Sequence, residues 1–219
     1  RLLRFEWGDG MTNVLVVYKK NFESIHDDSL DHLKSSLEDA KSNHQLRVEI
    51  RARERVRRAD FIGRDLVIVL GGDGTLTSIS HNIDESTPVM GVNSHPKSDD
   101  PTGSVGFYMD STLDTFSQDL ERALTGKAIV NNLPRLRAII DSTSGNRYTT
   151  DPAMNELLIA NTHQYAPSKY HLRRGDRNTD QQSSGLIFST WLGQGAWFSH
   201  SLDRVSLSEI RKIVEKGVY

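Results

Sequence analysis

Leu66 to Leu70 is an apolar run with no polar alternation. Such a run suits a strand buried on both faces, as in a parallel sheet with helices above and below. Gly71 and Gly72 end it. Asp73, Gly74 and Thr75 follow, and then Leu76, Ile79 and Ile83 recur at helical spacing. The stretch therefore predicts strand, Gly-rich turn and helix, with the helix beginning near Thr75. Asn13–Tyr18 (NVLVVY) predicts a second buried strand. Asp27–Ser42 places Leu30, Leu33, Leu37 and Ala40 on one face of an amphipathic helix. Leu46–Ile50 and Pro88–Asn93 (PVMGVN) predict short strands. Residues 94–107 (SHPKSDDPTGSVGF) break all periodicity and predict a loop. Ser111–Leu124 predicts a helix with Leu113, Phe116, Leu120 and Leu124 on one face. Ser111 or Thr112 can cap it, Asp114 lies in its first turn, and Gly126 stands past its end.

Strands alternate with helices from residue 13 to 126, which predicts a doubly wound, Rossmann-like α/β domain over residues 1–130. The character changes near Asn131. Residues 134–141, 147–150, 155–160, 168–174 and 185–190 are short, turn-separated strand candidates, and two of them alternate polar and apolar residues. They predict a β-rich second domain over 131–219. The charged stretch 175–184 (GDRNTDQQSS) is expected to be a hairpin connection or a mobile loop. Ser206–Tyr219 predicts a closing amphipathic helix. The arginine-rich run 51–64 (RARERVRRADFIGR) reads as a solvated helix face rather than a phosphate patch, because Glu54 and Asp60 interrupt it and no aromatic platform accompanies it.

Composition narrows the function classes. The chain has 219 residues, enough for one large domain or two small ones. A net charge of −2 gives no footprint for nucleic acid or an anionic membrane. There is no cysteine, so neither a disulfide framework nor a thiolate site is available. No apolar run reaches the ~18 residues of a membrane span, and Arg1–Gly10 lacks the apolar core of a signal peptide. A soluble intracellular protein is the expectation.

The turn carries the chemistry. Gly71, Gly72 and Gly74 have no Cβ, so backbone amides can approach a ligand closely. A helix starting beside them offers free N–H groups and a positive dipole end to a phosphate. Asp73 sits at the carboxyl end of the strand, where open α/β sheets bind ligands. A carboxylate there suits orienting or deprotonating an attacking hydroxyl, or holding Mg²⁺. The bland alternative is a tight connection with Asp73 as helix N-cap.

The GGDGT stretch, Gly71–Thr75, resembles the signature shared by NAD kinases, diacylglycerol and sphingosine kinases and, as GGDGS, phosphofructokinases. Three further stretches resemble NAD kinases in particular. The GVN of Gly91–Asn93, followed by a loop and Gly106-Phe107, is similar to the pattern that lies by the dinucleotide in that family. Asn155-Glu156 is similar to the pair that opens its second domain. Ser184–Trp197 (SGLIFSTWLGQGAW) is similar to its substrate segment DGLIVSTPTGSTAY. Ser184 stands where the family has Asp, Trp197 where it has Tyr, and Leu192, Gln194 and Gly195 where it has small hydroxyl residues. These spellings resemble the mitochondrial-type NAD kinases and their bacterial relatives. The family pattern also runs on past the end of this chain, so the second domain is expected to be short or incomplete.

The resemblance implies an ATP-dependent NAD kinase that phosphorylates the 2′-hydroxyl of the adenosine ribose. It assigns Asp73 as general base or hydroxyl-orienting group and Gly71, Gly72, Gly74 and Thr75 as phosphate-binding. It assigns Asn93, Phe107, Asn155, Glu156, Ser184, Thr190, Gly193, Ala196 and Trp197 to the dinucleotide. ATP is the implied donor, with Mg²⁺ or another divalent cation held mainly by the triphosphate, and no protein metal ligand is assigned. On that assignment Asp73→Asn removes turnover and leaves NAD⁺ affinity within a few fold. A homodimer or tetramer is implied, in the cytoplasm or, for a eukaryotic protein, the mitochondrial matrix. Two other classes share part of the pattern. One is a lipid kinase with an apolar acceptor cleft. The other is a non-catalytic NAD(P)-binding protein, suggested by the altered GQGAW segment and by the family pattern running on past the end of this chain.

Overall fold

The computed structural model describes residues 10–20, 25–163, 165–197 and 199. The predicted helix at 206–219 lies outside them. The chain divides into two compact units between Asn132 and Leu133.

The first unit is a parallel sheet. Its strands are β1 (Thr12–Tyr18), β2 (Leu46–Ala52), β3 (Leu66–Gly71), β4 (Val89–Asn93) and β5 (Ser111–Thr112), in spatial order β2-β1-β3-β4-β5. Every pairing is parallel. This is a doubly wound order, and it reverses between β1 and β3. The helices are α1 (Ile25–Lys41), α2 (Arg58–Phe61), α3 (Asp73–Ile79) and α4 (Leu113–Leu124).

The apolar runs form the sheet because both of its faces are covered. Val14 to Val17 are fully buried, as are Val67, Ile68 and Val69. On one face Leu30, Leu33 and Leu37 of α1 and Phe116, Leu120 and Leu124 of α4 close over Val14, Val16, Ile68, Leu70 and Val92. Each such side chain contributes about 1.5–3 kcal/mol when taken out of water. On the other face Leu15, Val17, Val67 and Val69 are as deeply buried, and α3, which packs against β3, buries Leu76 and Ile79. Thr112 caps α4 reciprocally with Thr115, whose hydroxyl accepts the Thr112 amide at 3.1 Å.

The arginine-rich run differs from its expected form. Strand β2 extends through Ala52, and only the single turn of α2 is helical. The alternating LRVEIRA pattern extends the edge strand, and the charges are matched locally: Arg51 and Arg64 both pair with Glu49, and Arg53 pairs with Glu54 at 2.8 Å. These two bridges hold the carboxyl of Glu49 below the usual carboxylate range, the Arg64 hydrogen bond most strongly.

The second unit is β-rich, as expected, and its strand pairs are antiparallel. Its strands are β6 (Ile139–Asp141), β7 (Arg147–Thr149), β8 (Glu156–Ile159), β9 (Ser168–Arg174), β10 (Arg177–Ser183) and β11 (Leu186–Ser189). They pair as β6–β7, β8–β11 and β9–β10. The stretch 175–184 is a correction, because most of it is β10. Its residues are polar throughout, and a ribbon exposed on both faces needs no apolar alternation. Pairing with β9 instead comes from the two-residue turn Gly175-Asp176, with Gly175 at φ +58°. Among the described residues no helix is long and apolar enough to cross a membrane.

Candidate functional site

The Gly-rich turn sits at the carboxyl end of β3, beside the point where the strand order reverses. Helix α3 begins at Asp73, two residues earlier than the periodicity suggests, with Gly72 as its N-cap. Asp73 is therefore inside the first helical turn and is not the cap. Its carboxylate crosses to the loop after β4. Oδ2 accepts the Phe107 amide at 3.0 Å, and Oδ1 accepts the Tyr108 amide at 2.8 Å.

Ser104 completes this connection. Its hydroxyl oxygen accepts the amides of Asp73 at 3.3 Å and Gly106 at 3.2 Å, and lies 3.5 Å from Asp73 Oδ2. A Cβ on Gly72 would come within 2.6 Å of Ser104 Cβ and Oγ, so the missing side chain at 72 is what admits Ser104. Neither Ser104 nor the Tyr108 amide is marked by the sequence pattern. The serine is one of several in an aperiodic loop, and an amide has no side-chain signature.

The assigned phosphate-binding residues differ in what they offer. The Thr75 amide donates to the Gly72 carbonyl at 2.8 Å, and its side chain is buried against Gly71. It serves the turn rather than a ligand in this structure, because the earlier helix start turns that amide into a helix hydrogen bond. Gly74 is exposed, and a Cβ there would meet nothing within 4 Å. Asn93 is buried. Its Nδ2 donates to the Ser104 carbonyl at 3.2 Å and its Oδ1 accepts the His95 amide at 3.2 Å, so it anchors the loop. Phe107 is exposed, with Tyr108 edge-on to it at 5.1 Å.

In the second unit, Asn155 and Glu156 lie where β8 begins. Both are half-buried. Glu156 Oε2 is buried with no hydrogen-bond partner among the described residues, and burial pushes its carboxyl above the usual range. Thr190 and Gly193 are buried; Thr190 donates to the Met154 and Asn155 carbonyls, and the Gly193 amide donates to the Thr190 hydroxyl. Gly193 is glycine because Asn155 backbone fills the place of its Cβ. Ser184 is exposed, Ala196 half-buried and Trp197 exposed. No group of three or more carboxylate or His side chains able to hold a metal is present among the described residues.

Fold and turn together define a doubly wound α/β domain with an Asp-bearing glycine turn at a strand's carboxyl end, the place where such sheets bind ligands. The family model for the ATP-NAD kinase N-terminal domain matches residues 10–128, and the chain belongs to that family. It is 33% identical over 147 residues to an NAD kinase of Syntrophobacter fumaroxidans, covering 64% of this chain and 48% of that protein. It is 32% identical over 133 residues to a probable NADH kinase of Oryza sativa, covering 56% and 39%. Its fold is similar to a crystal structure of an Archaeoglobus fulgidus NAD kinase in complex with ATP, with a TM-score of 0.62 at 21% identity over 86% of this chain and 65% of that one. Yeast NADH kinase complexed with NADH gives 0.68 at 16% identity over 92% and 60%. The chain thus spans about half or less of the length of these two curated relatives.

Proposed function

We propose that the protein transfers the γ-phosphoryl group of ATP to the 2′-hydroxyl of the adenosine ribose of NAD⁺, giving NADP⁺ and ADP. The observation that carries this reading is Asp73, held at the mouth of the Gly-rich turn. The 2′-oxygen bonds to the γ-phosphorus as the bond to the β,γ-bridging oxygen breaks. Asp73 orients the hydroxyl and takes its proton late, when the oxygen is already bonding to phosphorus. Much of the rate then comes from alignment and charge stabilisation.

Gly74 offers the open approach to phosphate, with Gly71, Gly72 and Thr75 shaping the turn behind it. A divalent cation such as Mg²⁺ fits a site with a single carboxylate at the turn, since it is held mainly by triphosphate oxygens with one or two protein ligands. Asp73 is the residue that would face it, and it would neutralise the charge of the triphosphate. Asn155 and Glu156 supply donors and acceptors for ribose hydroxyls and an adenine edge. The unpartnered Oε2 of Glu156 supports this, because a ribose hydroxyl would satisfy it. Phe107 and Trp197 offer flat apolar faces to the bases, with Ser184 and Ala196 beside the ligand and Asn93 holding the Phe107 loop. A homo-oligomer remains part of the proposal.

The relatives named NADH kinase favour a second reading, in which NADH is the acceptor. A coupled assay tests both. Purified protein is incubated with ATP, Mg²⁺ and NAD⁺ or NADH, and an NADP-specific dehydrogenase detects product, with Asp73→Asn as control. Product that vanishes in the variant is expected. Tight dinucleotide binding without turnover would replace the kinase by a binding protein. Phosphorylation of diacylglycerol or sphingosine would make it a lipid kinase.

A further inference from the structure

We propose that Thr190 is a positioning residue, which sets the direction of the Asn155–Glu156 pair through the backbone and does not itself contact a ligand. This rests on the reading that the pair holds the dinucleotide.

The ladder between β8 and β11 ends where Ser189 stands opposite Glu156. One residue further, the hydroxyl of Thr190 takes over from the ladder. Its Oγ1 donates to the Met154 carbonyl at 2.6 Å and accepts the Gly193 amide at 2.9 Å. Its own amide donates to the Asn155 carbonyl at 2.8 Å, and Ser189 Oγ lies 2.9 Å from the Thr190 carbonyl and 3.3 Å from the Asn155 carbonyl. Two successive carbonyls, 154 and 155, are thus tied to one residue. Their peptide planes are fixed, and the side chains of Asn155 and Glu156 leave the backbone in directions that those planes set. Gly193 closes the clamp from behind, where Asn155 backbone occupies the place of a Cβ.

The hydroxyl has a single hydrogen, and it is given to Met154. At 5% exposure Thr190 has no room for a ligand atom. Valine has the same shape but would leave a buried carbonyl and a buried amide without partners, which costs about 1–3 kcal/mol each unless the peptides turn to find others. Turning them moves the pair.

The test compares Thr190→Val, Thr190→Ser and Asn155→Ala in the full chain. The readouts are calorimetric titration with NAD⁺, titration with ATP, and thermal melting. Thr190→Val is expected to weaken NAD⁺ binding about tenfold or more, the equivalent of about 1.4 kcal/mol, while ATP binding holds. Thr190→Ser, which keeps both hydroxyl bonds, is expected to bind NAD⁺ as the native chain does. Wild-type NAD⁺ affinity in Thr190→Val overturns the proposal. So does an equal loss in Thr190→Ser, or a parallel loss of NAD⁺ and ATP, which marks a merely structural role. If Thr190→Val does not fold, Ser189→Ala removes the hydroxyl shared between the Thr190 and Asn155 carbonyls. It is expected to cost about two- to fivefold in NAD⁺ affinity, the worth of one neutral hydrogen bond, and unchanged affinity counts against the clamp. Asn155→Ala separates the two levels. If it binds NAD⁺ normally, the site assignment itself falls. If it is impaired while Thr190→Val is not, only the positioning role falls.

Discussion

The carboxylate of Asp73 accepts the backbone amide of Tyr108 at 2.8 Å, across thirty-five positions of sequence. Its other oxygen accepts the Phe107 amide. The group assigned to proton transfer therefore also fastens the loop that carries an exposed aromatic ring. Asparagine can keep one of these bonds, but its NH₂ faces the other N–H and pushes it away. Asp73→Asn is expected to lower turnover by about 10²–10⁴-fold, as loss of a positioned acid–base group does. It is also expected to weaken the dinucleotide, because Phe107 is released. This changes the expectation drawn from the sequence, in which affinity stayed within a few fold. Turnover by coupled assay and NAD⁺ affinity by calorimetry check it. Unchanged affinity would mean that the two amide bonds do not hold Phe107 in its working position.

What was legible in the sequence follows from which forces write themselves into side chains. Leu66–Leu70 and Asn13–Tyr18 announce the sheet because burial on both faces demands unbroken apolar runs, and α1 and α4 announce themselves by their apolar stripes. Gly71–Thr75 was visible as a turn, yet the start of α3 came two residues early, since Gly72 and Asp73 carry no apolar period. Ser104 was invisible, because its role depends on a long-range approach to Gly72 that spacing cannot encode. Thr190 and Gly193 stand out in the sequence as residues, but their grip on the Met154–Asn155 backbone does not. A hydroxyl and a glycine that grip a distant backbone look, in one dimension, like those that grip a ligand.

The least legible strand, β10, gives a prediction about local stability. The turn to it needs Gly175 at φ +58°, a region that costs a residue with a Cβ about 1–2 kcal/mol. The ribbon has only two strands, and its cross-strand contacts are polar, such as Tyr170 Oη to Ser183 Oγ at 2.9 Å. A two-stranded ribbon is marginal alone, so the cost should appear as local opening. Gly175→Ala is expected to lower amide protection in residues 168–183 about fivefold or more, with a smaller loss for Gly175→Asn, which tolerates that conformation better. Hydrogen exchange measures it. Equal protection in both variants and the native chain would show that the turn does not hold the ribbon.

Glu156 sets a pH dependence. Its carboxyl is raised by burial, so the folded chain binds that proton more tightly than the unfolded chain. Stability therefore falls as pH climbs from the ordinary carboxylate range through the raised value, and stays lower above it. Glu156→Gln keeps the shape and removes the ionisation. It is expected to melt higher than the native protein at about pH 7, with the gap closing as pH falls to about 3, where the carboxyl is protonated in both states. Melts across pH provide the check, and a gap that does not change with pH would assign the effect to packing rather than charge.

Gly74 separates the needs of folding from those of a ligand. Within the turn, Gly71 and Gly72 are glycine for reasons internal to the chain, since Thr75 and Ser104 fill the places of their side chains. Gly74 has no such reason: its surroundings are open, and it lies in the first turn of α3. Alanine there should stabilise the fold by up to about 1 kcal/mol, the difference in helix propensity, which raises the melting temperature by about 2–4 °C at this chain length. If phosphate oxygens come up against the backbone at this point, the added methyl group stands in their way. Gly74→Ala is then expected to raise the melting temperature while weakening ATP binding about tenfold, a loss of about 1.4 kcal/mol. Gly72→Ala, by contrast, should lower both, because its Cβ displaces Ser104. Thermal melts and ATP titration of the two variants distinguish the cases. A Gly74→Ala protein that binds ATP as tightly as the native chain would place the phosphates elsewhere on the turn, and would remove the open glycine from the proposed site.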